Sequence, residues 1–286
     1  MIRIFTDIAC DITKSRAQEW QVECINLPIT FEDGIFEQNE EEDFTRFYEK
    51  LAASRTLPQT SQPVFGDLIA KFSQLKEREE EGICITLSAT ISGTYDSCCK
   101  AKELAGASEL DIIDSKSGTA GQMQLVRYAV ELRKQGKSRE EIVRLLNESI
   151  RQIETMAVID DLECLKKGGR IPPALALLGK AIKIKPILCF NTEGKLVPYK
   201  KERGRKVALQ RMIATMLDCG IQAEHPVLIG YTSNRELAEE VRERLKEELP
   251  QAVLELHPVS GVIGTHIGED CVCISAFVTK RLTESA

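Results

Sequence analysis

The spacing of apolar residues in this chain switches repeatedly between two periods, and that alternation restricts the available folds more than any other feature. Residues 2–6, 83–87 and 110–114 are short runs rich in Ile and Leu, whereas Phe44, Phe47, Tyr48 and Leu51, and then Phe65, Leu68, Ile69, Phe72 and Leu75, recur three and four positions apart. The runs have the pattern of buried strands, and the spaced sets that of one helix face. Further helices are expected over 13–20, 92–105 and 118–135, with a second extended run over 22–31. Strands joined through helices pair parallel, so these segments predict a parallel sheet with helices on its faces. Ser138-Arg139-Glu140-Glu141 reads as a capping box opening a helix whose stripe is Ile142, Leu145, Leu146, Ile150 and Ile153.

Past residue 155 the pattern changes. A strand over 156–160, a Gly168-Gly169 turn, an apolar helix near 174–178 and a hairpin turning at Asn191-Thr192-Glu193-Gly194 come first. They precede helices over 205–219 and 236–249 and strands over 227–232, near 253–257 and near 271–278. At 286 residues the chain is long for a single core, and two α/β domains are expected. On this reading residues 1–155 form a Rossmann-like domain with a parallel sheet, and residues 156–286 a smaller α/β domain with a mixed, partly antiparallel sheet.

A net charge of −6 and a pI near 5.4 work against binding a phosphate backbone, which needs a clustered basic face; no nucleic-acid partner is expected. No apolar run approaches the length of a membrane span. Met1-Ile2-Arg3-Ile4-Phe5 enters a strand without the parts of a secretion signal, so a cytoplasmic protein that is not integral to a membrane is expected. The ten cysteines are scattered, with no C-x-x-C and no nearby histidine, which predicts reduced thiols and no metal site. Neither a P-loop nor the protein-kinase signature set occurs, so ATP chemistry would have to come from another protein.

In open α/β sheets ligands bind where loops leave the carboxyl ends of strands. Four such loops stand out: Thr6-Asp7-Ile8-Ala9-Cys10-Asp11, Gln59-Thr60-Ser61-Gln62-Pro63, Leu87-Ser88-Ala89-Thr90-Ile91-Ser92-Gly93-Thr94-Tyr95 and Asp114-Ser115-Lys116-Ser117-Gly118-Thr119-Ala120-Gly121. Hydroxyls before a helix serve first as caps, and Pro63 is placed to open a helix that its preceding hydroxyls cap. Several such loops at one sheet edge also make a polar mouth whose unpaired N–H groups favour an anion. Facing it, residues 162–171 supply a basic turn and residues 175–188 an apolar surface that reads equally as core packing. Arg203, Arg205 and His266 add cationic or titratable groups, and His266, set between glycines, is expected to be exposed or at a site.

Taken in order, Thr6-Asp7, Thr60-Ser61-Gln62-Pro63, Leu87-Ser88 with Ser92-Gly93-Thr94-Tyr95, Leu165-Lys166-Lys167-Gly168-Gly169-Arg170-Ile171, Ile184-Lys185-Pro186-Ile187 and Gly264-Thr265-His266-Ile267-Gly268 resemble the motif series of the DegV family over nearly the whole chain. The resemblance implies a DegV-like two-domain α/β fold, no cofactor, and a palmitate-like long-chain fatty acid held in a tunnel between the domains. It further implies an acyl-carrying subunit of a bacterial fatty acid kinase system, in which a separate ATP-dependent kinase phosphorylates the bound acid; membrane contact is expected to be transient, for lipid exchange. On this resemblance Thr60, Ser61, Ser92, Gly93 and His266 meet the carboxylate, and Arg170 and Arg203 serve the head group or a partner-docking face. The chain departs from the family pattern at Ile8, at Ala89 and at Glu269-Asp270. The competing class is a serine-dependent hydrolase or small-molecule phosphotransferase using Ser92 and His266. Ser97-Cys98-Cys99-Lys100 matches S-x-x-K but lacks the companion motifs.

Overall fold

A computed structural model describes residues 1–160, 162–171 and 184–282. The first sheet contains β1 (Ile2–Asp7), β2 (Val22–Ile25), β6 (Glu81–Thr86) and β7 (Leu110–Asp114) in the order β2-β1-β6-β7, all parallel. The second contains β8 (Ile153–Val158), β9 (Ile184–Phe190), β10 (Leu196–Arg203), β11 (Val227–Tyr231), β12 (Leu254–Pro258) and β13 (Val272–Phe277). Its order is β10-β9-β8-β13-β11-β12, antiparallel throughout except between β11 and β12. One parallel and one mixed sheet is the α/β architecture that the alternating periods predict.

The expected extended run over 22–31 divides between sheets. β2 joins the first, but β3 (Ile29–Phe31) pairs with β4 (Gly34–Phe36) and β5 (Gln59–Thr60) in a small antiparallel sheet. Pro28 lies at the break; it has no N–H to give a ladder, and its carbonyl accepts from Ser61 N at 3.0 Å. Pro63 does not open the next helix either. Of the early helices α1 (Lys14–Trp20), α2 (Glu41–Ala53) and α3 (Phe65–Glu77), the last starts two residues beyond it, without a side-chain cap. Thr60 is instead paired with Ile29 in β5, which leaves its hydroxyl for a tertiary partner. The helix read near residues 174–178 lies outside the described residues.

α4 (Thr94–Ala105) and α5 (Thr119–Lys134) follow β6 and β7, and α6 (Arg139–Ser149) opens on the expected capping box, Ser138 Oγ accepting from Glu141 N while Glu141 accepts from Ser138 N. α5 positions the rest of the molecule. Eleven of its 16 residues are buried, the mark of a helix with protein on all sides. Gln122 donates to Thr6 Oγ1 (3.1 Å) and the Ile85 carbonyl (3.3 Å) in the first sheet, while Gln124 donates to the Pro226 (2.7 Å) and Ser275 (3.2 Å) carbonyls beside the second. Met123, Leu125 and Val126 join Ile4 and Ile85 of one sheet to Ile153 and Phe277 of the other in a single apolar cluster. α7 (Glu163–Gly168), α8 (Arg205–Asp218), α9 (Arg235–Glu248) and α10 (Gly261–Ile267) complete the described helices.

Candidate cavity and its polar end

Alternation along β8 builds one wall of a cavity between the sheets. Met156 and Val158 face the core under α8, so Thr155 and Ala157, with Ile159 beyond the strand end, face the other way into the cavity. Leu188 and Phe190 of β9, Leu196 of β10, Gly230 of β11 and Cys273 of β13 extend this floor, and Val262, Ile263 and Ile267 of α10 line a side. The loops from the first sheet and β5 close over it with Leu87, Ile91, Gly118 and Thr60. The volume is about 410 Å³, within the roughly 300–1,000 Å³ range of small-molecule sites. Burial pushes the Cys271 and Cys273 thiols up to about 12, so both present neutral, weakly polar S–H groups.

Polar groups converge at one end. Thr60 Oγ1 and His266 Nε2 are 2.8 Å apart, and His266 Nδ1 has no partner among the described residues. A Cβ on Gly168 would stand 2.6 Å from that Nδ1, so the glycine that ends α7 is what lets the imidazole settle there. Burial first, and then the nearby Arg170 guanidinium, push His266 down to about 4; at neutral pH the ring is uncharged. A neutral imidazole and a hydroxyl carry two exchangeable protons between them, and their mutual hydrogen bond uses one. The other is left to donate, from Nδ1 or from the Thr60 hydroxyl according to the tautomer.

Ser61, Ser92, Gly93 and Arg170 line the same cavity. Ser92 Oγ lies 2.9 Å from Thr94 Oγ1 and accepts from Thr94 N at 3.3 Å, which places it against the positive end of α4. A Cβ on Gly93 would meet the Gln62 side-chain nitrogen at 2.3 Å, and Gln62 in turn accepts from Ser97 Oγ at 2.7 Å. That contact absorbs the serine of the S-x-x-K match. Arg170 donates through Nε to the Ile91 carbonyl at 3.2 Å and through Nη1 to the Gly168 carbonyl, tying the basic turn to the loop carrying Ser92. A Ser92–His266 dyad is not what these contacts form: the hydrogen bonds run Ser92 to Thr94 and Thr60 to His266.

Arg203 stands apart, exposed at the end of β10 and outside the cavity lining. Glu269-Asp270 does not crowd His266 with charge, because Asp270 turns to Arg205 (3.1 Å), which also binds Asp160. Of the two places its glycine neighbours allow, exposed or at a site, His266 takes the second: it is half-buried in α10 and lines the cavity, and the glycines of that helix serve close packing against α2. Gln62, Gly168 and Gly230 are parts of the site that spacing does not reveal, since each matters through a side chain brought in from elsewhere in the chain. The Ala89 departure leaves a backbone N–H that donates to Asp114 at 3.2 Å. The flanking Ser88 and Thr90 hydroxyls both donate to the Gly194 carbonyl, at 2.8 and 2.6 Å, docking the tip of the β9–β10 hairpin on this loop.

Among the described residues no helix is long and apolar enough to cross a membrane, and no group of His, Cys, Asp and Glu is placed to hold a metal ion. The family profile described as "Uncharacterised protein, DegV family" matches residues 1–279. Protein DegV of Bacillus subtilis is 32% identical over 276 residues, covering 96% of this chain and 98% of its own. Among solved structures, a fatty acid binding DegV family protein from Streptococcus agalactiae superposes with a TM-score of 0.86 at 30% identity, covering 98% of this chain and 99% of its own. DegV of B. subtilis, a fatty acid binding protein, superposes at 0.83 with 29% identity, covering 96% and 99%. Agreement along the whole length in both sequence and three-dimensional arrangement places this chain in the DegV family.

Proposed function

We propose that this protein acts in the cytoplasm, encloses one long-chain fatty acid between its sheets and presents the carboxylate to a separate ATP-dependent kinase for conversion to an acyl-phosphate. The observation carrying this reading is the union, in one cavity, of aliphatic walls with an uncharged Thr60–His266 end. Relatives of the same length and fold named for fatty-acid binding support the cargo. Each buried methylene contributes about 0.8 kcal/mol, so about fourteen of them give roughly 11 kcal/mol before the costs of association. Affinity therefore comes from the tail, and the mouth has only to keep the carboxylate ionised. The spare Thr60–His266 proton, the Ser61 and Ser92 hydroxyls and the N–H groups at Gly93 do this. Neutral donors leave an oxygen lone pair to attack the terminal phosphorus of ATP, with ADP as leaving group, whereas a bidentate guanidinium would hold both oxygens. Arg170 is committed to two carbonyls, and the exposed Arg203 is assigned to the docking face.

Mass spectrometry of an organic extract of freshly purified protein tests the cargo: about one fatty acid per chain is expected, and an empty protein that also takes up no added fatty acid would overturn the reading. For the kinase, Arg203→Ala is expected to reduce acyl-phosphate formation while retaining lipid. Equal loss of both would remove Arg203 from the docking face.

A further inference from the structure

The cavity has a second end, and its construction is informative. α10 runs beside the slot with His266 and Ile267 at the polar mouth and Val262 toward its start; just before it, Val259 lines the cavity and Ser260 N donates to Asp11 Oδ1 at 2.8 Å. Leaving the mouth along this helix leads to Asp11. The floor leads there too. Strand pairing sets Leu188, Ala157, Cys273, Gly230 and His257 side by side across five strands. The first four line the cavity, whereas His257 is buried behind it with Nε2 3.5 Å from the Asp11 carboxylate. At roughly 4.8 Å per strand, Leu188 to Gly230 spans about 14 Å of floor.

We propose that Gly230, with Cys273 and His257 leaning over it, sets the greatest length of acyl chain the cavity accepts; the proposal rests on the fatty-acid reading above. A glycine in the middle of a fully buried strand weakens it and marks a close approach. Here the approach is explicit: a Cβ at 230 would lie 2.7 Å from Cys273 Sγ and 3.0 Å from His257 Nε2. His257 is backed by Asp11, so the group that yields is Cys273, and it yields into the cavity. The wall itself is unyielding to hydrocarbon. Asp11 holds hydrogen bonds from the Thr119 hydroxyl and from Ser260 N, and both His257 ring nitrogens and Ser260 Oγ lack partners among the described residues. Behind the Gly230 lining, His257 and Asp11 are buried and fill the space, so a methyl end that reaches Gly230 has no room to advance. The chain therefore stops at Gly230.

A displacement assay with a homologous series of saturated fatty acids tests this on wild type, Gly230→Ala and Val259→Ala, with melting temperature read on each. One methylene in an apolar pocket is worth roughly tenfold or more in discrimination. Gly230→Ala is expected to weaken the longest chain that wild type binds by about tenfold relative to shorter homologues. Val259→Ala, which enlarges the same end, is expected to move the preference toward longer chains. Cys273→Ala added to Gly230→Ala restores the wild-type profile and shows that lost room, not lost folding, was responsible. If wild type binds the series while Val259→Ala and any folded Gly230 variant keep its length profile, the gauge is overturned and the carrier reading stands; if wild type binds none of the acids, both fall.

Discussion

The two ends of the cavity use the same residue types to opposite effect. At the mouth, Thr60 and His266 face the cavity uncharged, with one proton left to donate. At the closed end Thr119 also lines the cavity, but its hydroxyl is given to Asp11, which in addition accepts from Ser260 N. A hydroxyl already satisfied by a buried carboxylate offers a ligand little beyond its methyl group. Polar side chains in an apolar slot therefore mark a ligand's head only where their hydrogen-bonding capacity is incomplete. Residue type alone does not separate the two ends.

The largest effect is expected where the closed end is dismantled. Asp11→Ala leaves the Thr119 hydroxyl and Ser260 N–H without their acceptor and places alanine at a φ of 61°. Urea unfolding should register a loss of about 2–4 kcal/mol; a loss below about 1 kcal/mol would mean that the Thr119 hydroxyl and Ser260 N–H do not depend on Asp11 as their acceptor.

Titration separates the mouth from the loop beneath it. His266 is depressed to about 4 by burial and by Arg170, so its contribution of about 3 kcal/mol is present above its unfolded value of 6.5 and is lost as pH falls through 4. Asp7, which accepts from Leu87 N and Ala9 N, is raised to about 6 by burial, so the folded state gains about 3 kcal/mol as pH falls from 6 to below 3.8. Between pH 6 and 4 the two nearly cancel. His266→Gln should unmask Asp7, so that stability in denaturant titrations rises on acidification across this window. A variant whose pH profile parallels that of wild type would place the titrating group elsewhere.

A smaller change is expected from Thr60→Val, which removes the hydroxyl and the Nε2 partner together. Isothermal titration with a long-chain fatty acid should show about tenfold weaker binding, equivalent to about 1.4 kcal/mol, with little change in stability. Unchanged affinity would take the head group away from this pair and erase the contrast between the ends.

Much of the fold is legible from spacing. The buried runs of β1, β6 and β7, the stripes of α2 and α3 and the Ser138 capping box all stand where local periodicity puts them. α10 is different. Gly261-Val262-Ile263-Gly264-Thr265 has poor helix propensity, yet it is helical because Phe47 and Tyr48 of α2 close on the two glycines, whose Cβ atoms would lie 2.5 and 2.6 Å from them. No local rule places that contact, and with it goes the position of His266. The run over 22–31 fails for a related reason: its apolar residues are strand-like throughout, and only Pro28 and the distant partner Thr60 assign the second half to another sheet.

What the sequence by itself determined is therefore the parallel sheet and its covering helices, the acidic surface charge and the loops dense in hydroxyls, because each depends on residues within a few positions of one another. Only the tertiary structure decided which hydroxyl keeps a usable proton. Thr60 meets His266 across 206 positions and Asp11 meets Ser260 across 249. Whether a polar group is spent or spare depends on partners that the packing of two sheets around α5 brings together, and no spacing along the chain records them.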